Sequence, residues 1–407
     1  SAGIIESISS LLNLQYPDYE VIVVNDGSKD NTLETLIAHF QLEKDDVNIR
    51  ARIETMPVRG VYVNRSMPNL LVIDKENGGK ADSLNVGINA SRKQYFCGID
   101  ADSLLESESL IKLMSQFLDS DVEGVAAGGN IFPVNGCTVD GGALTGIGLP
   151  ANRLARLQMV EYIRAFMGGR IGWAYLRSLL IISGAFGVFR KERVIEAGGY
   201  LTGSGVFGKD TVGEDMELVV RVGRHMYEKR LPFRIYYAFN ANCWTEVPET
   251  FQVFKRQRDR WHRGLLDIMT FHRKLLFNPQ FGSIGLLASP YFLIFEVIGP
   301  WIELQGYTIF FLSCVLGLIS GTAFFILFIA SVMMGIFISL FSFIIMEREV
   351  NYFSLKDIFS MLWYAFAENF GLRQFLSMMR VSGYLNALKK PQGWGVMVRK
   401  GFTAAKK

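Results

Sequence analysis

From Gln305 to Met346 the chain carries no Asp, Glu, Lys or Arg. A soluble core helix of that length would keep one polar face toward water, and this stretch has none. A bilayer core takes about 20 apolar residues per helix, so the stretch fits two crossings with Ser320-Gly321-Thr322 as the turn between them. The composition agrees, with 31 Phe among 407 residues and a mean hydropathy of +0.22. Basic residues stand at both outer ends, His272-Arg273-Lys274 before the stretch and Arg348 after it, with no Lys or Arg between. The positive-inside rule then places both ends in the cytoplasm and the chain in the cell membrane as a multi-pass protein. Residues 285–304 are also apolar but hold Glu296 and Glu303, which are costly at a bilayer centre. That segment reads as interfacial or partly inserted rather than as a full span.

Other totals exclude several classes. A net charge of +3, with no long basic run before the C-terminal tail, argues for no nucleic-acid partner. Cys97, Cys137, Cys243 and Cys314 form no CxxC pair and read as buried or incidental thiols of a reducing compartment. No HExxH and no GxxxxGK[ST] occurs, which removes zinc hydrolysis and a P-loop from consideration. The chain opens at Ser1 without a secretory leader, already in helical spacing (Ile4, Ile5, Ile8, Leu11, Leu12), so sequence upstream is expected.

Upstream of the apolar stretch, Val21-Ile22-Val23-Val24 reads as a buried strand that empties into Asn25-Asp26-Gly27-Ser28, with a helix from Leu33 to Phe40. Leu70-Leu71-Val72-Ile73 is a second strand, followed by Asn77-Gly78-Gly79-Lys80 and a helix from Ala81 to Ala90. Tyr95 to Ile99 is a third, delivering Asp100 and Asp102 at its carboxyl end. Strand–helix alternation with short links predicts an α/β fold with a mostly parallel, helix-wound sheet, whose ligands sit beyond the carboxyl ends of the strands. Further helices are expected from Asn152 to Phe166, from Met216 to Tyr227, and from Pro248, in the first turn, through Trp261 to about Phe271.

Four polar islands carry candidate chemistry, and each also has a plain structural reading. Asp100-Ala101-Asp102 can hold Mg²⁺ or Mn²⁺ through hard oxygen ligands, or can be a solvated acidic turn. Lys80, after two glycines, suits a phosphate, although Asn-Gly-Gly is an ordinary turn as well. Asp215 suits a general base, while Glu214 and Asp215 together would favour the positive end of a helix regardless of catalysis. Gln257, Arg260, Trp261 and Gly264 share one helix face, where a guanidinium and an indole could receive a diphosphate and a sugar ring. Lys255, Arg256, Arg258 and Arg263 would equally suit lipid headgroups.

In this order the islands resemble those of membrane-embedded family 2 glycosyltransferases, the group of cellulose, hyaluronan and poly-N-acetylglucosamine synthases. Residues 23–32 resemble the first nucleotide-binding motif, 77–85 the lysine motif, 100–102 the metal motif, 213–215 the base motif (usually Thr-Glu-Asp, here Gly-Glu-Asp), and 257–261 the QxxRW motif. The resemblance implies a GT-A catalytic domain over residues 1–275, lacking its first strand, and a membrane region over 276–407 with two transmembrane helices near 305–346 and interfacial helices. It implies that Asp26 contacts the nucleotide, that Asp102 holds the metal, and that Asp100 meets the nucleotide or the metal. Asp215 would be the base, Arg260 would meet the diphosphate, and Gln257 and Trp261 the acceptor. Trp394-Gly395 with Arg399 is similar to the gating segment of the group, and Lys389 and Lys390 suit lipid headgroups. The implied reaction is inverting, processive β-transfer from a UDP-sugar, UDP-N-acetylglucosamine before UDP-glucose, to a growing glycan, with membrane lipids and an accessory export subunit as partners. Single addition to a lipid-linked acceptor, or a catalytically silent glycan-binding subunit, are the alternatives.

Overall fold

The computed structural model describes residues 3–118 and 122–387, so Lys389, Lys390, Trp394 and Arg399 lie outside the described residues. Chain packing separates two units. One takes in residues 3–118, 122–146 and 180–246, and the other residues 147–179 and 247–387.

In chain order, the structure begins with α1 Ile4–Leu12, β1 Val21–Asp26, α2 Thr32–Phe40, β2 Glu43–Asp45, β3 Val58–Asn64, β4 Met67–Lys75 and α3 Lys80–Ala90. There follow β5 Tyr95–Gly98, β6 Ser103–Leu105, α4 Ser109–Met114, β7 Glu123–Pro133, β8 Thr138–Asp140 and β9 Ala143–Gly146. Next come α5 Arg153–Ile163, α6 Ile171–Tyr175, β10 Gly187–Arg190, α7 Lys191–Glu196, α8 Glu214–Glu228 and β11 Phe233–Thr245. The last helices are α9 Phe251–Phe271, α10 Ser289–Tyr291, α11 Gly299–Val315, α12 Gly321–Val350, α13 Leu355–Ala367 and α14 Leu372–Ala387.

All eleven described strands belong to the first unit. They form a four-stranded sheet in the order β1-β4-β3-β2, a five-stranded sheet in the order β5-β10-β7-β11-β6, and the β8-β9 hairpin. The β-branched run of β1 lies parallel to β4, with Val21 opposite Leu70 and Val23 opposite Val72. One face is sealed by α1 and α2 through Ile8, Leu36 and Phe40. Each such buried side chain contributes roughly 1.5–3 kcal/mol of transfer free energy. The same register sets Asp26 opposite Lys75 where both strands end.

The α/β class is as expected, but the sheets are mixed rather than mostly parallel. Only β1–β4 and β7–β11 pair in parallel among the described strands. Antiparallel pairing elsewhere accounts for this, including β2 with β3 and β6 with β11. Residues 58–75 fold as a hairpin, β3 returning as β4, where the sequence alone predicts one short strand. In addition, β10 runs antiparallel between β5 and β7. The expected helices are present within a few residues; Pro248, however, precedes the helix, whose N-cap is Thr250.

The second unit is helical. Residues 284–315 form one apolar rod, in which α10 and α11 are joined through π-helical turns, and α12 is a second. Both are long and apolar enough to cross a membrane. The break falls at residues 316–320, and the Ser320 hydroxyl caps α12 by accepting the Ala323 N–H at 3.2 Å. Residues 285–304, read from sequence as interfacial or partly inserted, belong to the same helical rod as the rest of α11. Their two glutamates are matched by α14. Glu303 accepts from Ser377 Oγ at 2.5 Å and from Tyr307 at 2.6 Å, and Glu296 pairs with Arg380 at 3.4 Å. Helix α5 packs with α13 and α12, and just beyond its end Arg164 pairs with Glu368 at 2.5 Å and donates to Ser339 at 3.0 Å.

Candidate active site

The first-unit site assembles where β1, β4 and β5 end. The Asp26 carboxylate is occupied on both oxygens. Oδ1 meets Lys75 Nζ at 2.6 Å and accepts the Gly78 N–H at 2.9 Å, while Oδ2 accepts the Gly79 N–H at 2.8 Å and Asn77 Nδ2 at 3.2 Å. Burial raises the Asp26 pKa, but the Lys75 ammonium and the two amides outweigh it and hold the carboxyl below its ordinary value. Asp26 thus braces the Asn77–Gly79 turn. Gly79 needs its glycine for a φ of +87°.

That turn starts α3 and launches Lys80. Its Nζ lies 2.5 Å from Asp100 Oδ1 and 3.3 Å from Glu214 Oε1. Burial opposes the charge, yet Asp100 and Glu214 outweigh it and raise the pKa, so Lys80 stays an ammonium. The carboxyl of Glu214 is pushed up, first by burial and then by Asp215, with Lys80 opposing. Lysine, metal motif and base motif therefore share one cluster.

Asp215 opens α8 beside the loop that precedes β10. Its Oδ2 accepts the Gly184 N–H at 3.2 Å. A Cβ at residue 184 would sit 3.1 Å from the Asp215 Cβ and 3.2 Å from Oδ2, so glycine there permits the approach.

Asp102 is buried in the turn between β5 and β6, with Asp100. Among the described residues no three of His, Cys, Asp or Glu are grouped as a metal cage. Two carboxylates at a strand end still suit a hard cation that completes its shell with phosphate oxygens and water.

Several neighbours are assigned no individual role by the sequence motifs. Tyr200 is buried with its hydroxyl 3.3 Å from where a Gly98 Cβ would lie. Asn85 clamps its backbone, donating to the Tyr200 carbonyl at 2.9 Å and accepting its N–H at 2.7 Å. Arg221, paired with Glu217 at 2.7 Å, donates to the carbonyls of Ala197 and Gly199 just ahead of it. Lys75 was equally hidden, a charge closing the apolar run of β4 being the one available hint, whereas Asp82 falls within the 77–85 lysine motif.

In the second unit, α9 carries Gln257, Arg260 and Trp261. Gln257 is buried, Arg260 half-buried and Trp261 39 % exposed. The guanidinium over the indole belongs to Arg258, 4.4 Å from the ring centre, and it is held by Glu161 at 2.6 and 2.7 Å. Arg258 is thus a buried support of Trp261, which overturns its reading as a lipid contact. Arg263 pairs with Asp259 at 3.0 Å, whereas Lys255 and Arg256 are exposed.

Residues 1–180 match the family model described as glycosyl transferase family 2, and residues 95–346 that of glycosyl transferase family group 2. A poly-beta-1,6-N-acetyl-D-glucosamine synthase of Staphylococcus epidermidis is 27% identical over 296 residues, which are 72% of this chain and 57% of the relative. The synthase of the same name from Staphylococcus aureus (strain COL) is 25% identical over 300 residues, 73% of this chain and 58% of the relative. The chain therefore spans less than two thirds of the length of these relatives. Among solved structures, the mannosyltransferase PcManGT from Pyrobaculum calidifontis, in complex with GDP-Man and Mn²⁺, superposes with a TM-score of 0.55 over 96% of this chain and 84% of that one. At 14% identity it shares the fold, of GT-A type.

Proposed function

We propose that this chain, which belongs to glycosyl transferase family group 2 and is a glycosyltransferase, extends a polysaccharide at the cell membrane from a UDP-sugar. UDP-N-acetylglucosamine is the proposed donor, in keeping with the names of the relatives. The single observation that carries the reading is Lys80 standing between Asp100 and Glu214, with Asp215 next in sequence. It joins a phosphate-seeking cation, a metal-type carboxylate and a base motif.

In the proposed reaction, Asp215 takes the proton of an acceptor hydroxyl as that oxygen attacks the anomeric carbon from the face opposite the nucleotide. The bond from that carbon to the diphosphate breaks with inversion, and UDP leaves with the bonding electrons. Lys80 meets the growing negative charge on the diphosphate. Asp100 and Asp102 would hold Mg²⁺ or Mn²⁺, which neutralises phosphate oxygens when bound. The roles of Arg260 at the diphosphate, and of Gln257 and Trp261 at the acceptor, rest on their motif. The catalytic domain, residues 1–275, is placed on the cytoplasmic side, and residues 276–407 in and beside the membrane, where the two apolar rods are the proposed crossings. An accessory export subunit is part of the same reading.

A panel of radiolabelled nucleotide sugars, offered to membranes containing the protein, tests this. Incorporation from UDP-N-acetylglucosamine into a ladder of long products is expected, with linkage-specific glycosidases identifying the bond. Addition of a single sugar to a lipid would replace extension by the non-processive alternative. Failure to bind or consume any nucleotide sugar would overturn the reading.

A further inference from the structure

Lys75 has no exposed side-chain surface and lies two residues before the motif that holds Lys80. Its ammonium meets Asp26 Oδ1 at 2.6 Å and Asp82 Oδ1 at 2.7 Å and donates to the Glu76 carbonyl at 2.6 Å, one acceptor for each N–H. Lysine is almost never fully buried without such partners. An apolar residue of similar volume is often no worse for stability than a buried ion pair, so folding alone does not call for this charge.

We propose that Lys75 is a positioning residue of the nucleotide-sugar site, fixing the Asn77–Gly79 turn and through it the ammonium of Lys80. The inference rests on the role given to Lys80 above. Two carboxylates grip the turn, and Lys75 pins both. On one side Asp26 accepts the amides of Gly78 and Gly79. On the other, the turn is pressed against Asp82: a Cβ on Gly78 would lie 2.8 Å from its Cγ and Oδ1. Asp82 is itself buried and accepts the Met56 N–H at 3.1 Å. Gly27, at a φ of +61°, closes the third side, since a Cβ there would stand 3.1 Å from the Asn77 nitrogen.

Remove the Lys75 charge and Asp26 and Asp82 lose the cation between them. The two carboxylates then repel one another, which loosens the turn. Lys80 would lose its fixed seat beside Asp100 and Glu214. The arrangement follows from strand register, because Asp26 and Lys75 are directly opposite at the ends of β1 and β4.

The test compares the wild-type chain with Lys75→Met and Lys75→Arg, in membranes, by donor kinetics and by hydrogen exchange. For Lys75→Met we expect exchange of peptides covering Gly78 and Gly79 to rise at least about tenfold while those of β7 and β11 do not change. Donor KM should rise at least about tenfold with kcat within about threefold, and Lys75→Arg should recover part of the loss. Unchanged exchange and KM would overturn the proposal. So would a uniform loss of protection with no split between KM and kcat, which marks a merely structural lysine. If Lys75→Met fails to fold, the double variant Lys75→Met/Asp82→Asn lowers the buried charge imbalance; a turn still loose in it supports the proposal, and full donor affinity overturns it. Should the wild type consume no nucleotide sugar, the glycosyltransfer reading fails, while the exchange data still decide whether Lys75 holds the turn.

Discussion

The guanidinium of Arg258 lies 4.4 Å from the centre of the Trp261 ring, one helical turn away on α9. Arg258 is buried and tied to Glu161 by two hydrogen bonds, so the indole rests on a fixed cationic platform.

Glu161→Gln should release that platform. Losing a bidentate charge-assisted pair costs roughly 1.5–3 kcal/mol. We expect a lower unfolding temperature and a raised acceptor KM with the donor KM unchanged. Thermal unfolding and initial rates over a series of acceptor lengths check this; a change in donor KM alone would contradict it.

Asp215→Asn should abolish most transfer while leaving the fold intact, because an amide oxygen can still accept the Gly184 N–H. General bases contribute about 10²- to 10⁴-fold. The check is kcat beside donor affinity by titration. Full transfer by a folded variant would rule out Asp215 as the base. Gly184→Ala is the milder companion: its Cβ would crowd the Asp215 side chain at 3.1–3.4 Å, and a displaced base should cost about tenfold in kcat with KM little changed.

Asp102→Ala should weaken Mn²⁺ binding, read by electron paramagnetic resonance on the protein with UDP, and should remove metal-dependent turnover of the UDP-sugar. Undiminished metal-dependent turnover would dismiss Asp102 as a ligand.

His262 makes stability depend on pH. Burial holds its pKa down at about 4 from the ordinary 6.5, with Arg380 and Arg258 assisting and the Arg258 carbonyl and Glu161 opposing. The ring also packs edge-on against Tyr384. An unfolded chain binds this proton below pH 6.5 and the folded one only near pH 4, so stability falls as pH drops through that interval. The loss is on the order of 3 kcal/mol at most. Unfolding temperatures at pH 7 and pH 5 should diverge more for the wild type than for His262→Gln; equal shifts would refute this assignment.

Much of the scaffold was legible locally. The apolar run of β1, the closing Asp-x-Asp of β5, the start of α8 and the two apolar rods follow from side-chain periodicity and from the absence of charge, which neighbouring residues alone express. The hairpin of β3 and β4 escaped because its turn, Arg65-Ser66, carries neither glycine nor proline and its strands mix exposed and buried positions.

Partner choice was a different matter. Lys75 meets Asp26, 49 residues away, because parallel register brings the two strand ends together. Arg258 rather than Arg260 supports Trp261 because Glu161, from α5, draws it inward. Glu296 and Glu303 lie within an unbroken apolar rod because Arg380 and Ser377 of α14 meet them. By itself the sequence determined which segments are apolar, the approximate place of the helices and of β1 and β5, and which residue types stand at those strand ends. Only the tertiary structure decided which charges meet, since an ion pair is set by distances across the fold and local periodicity holds no record of them.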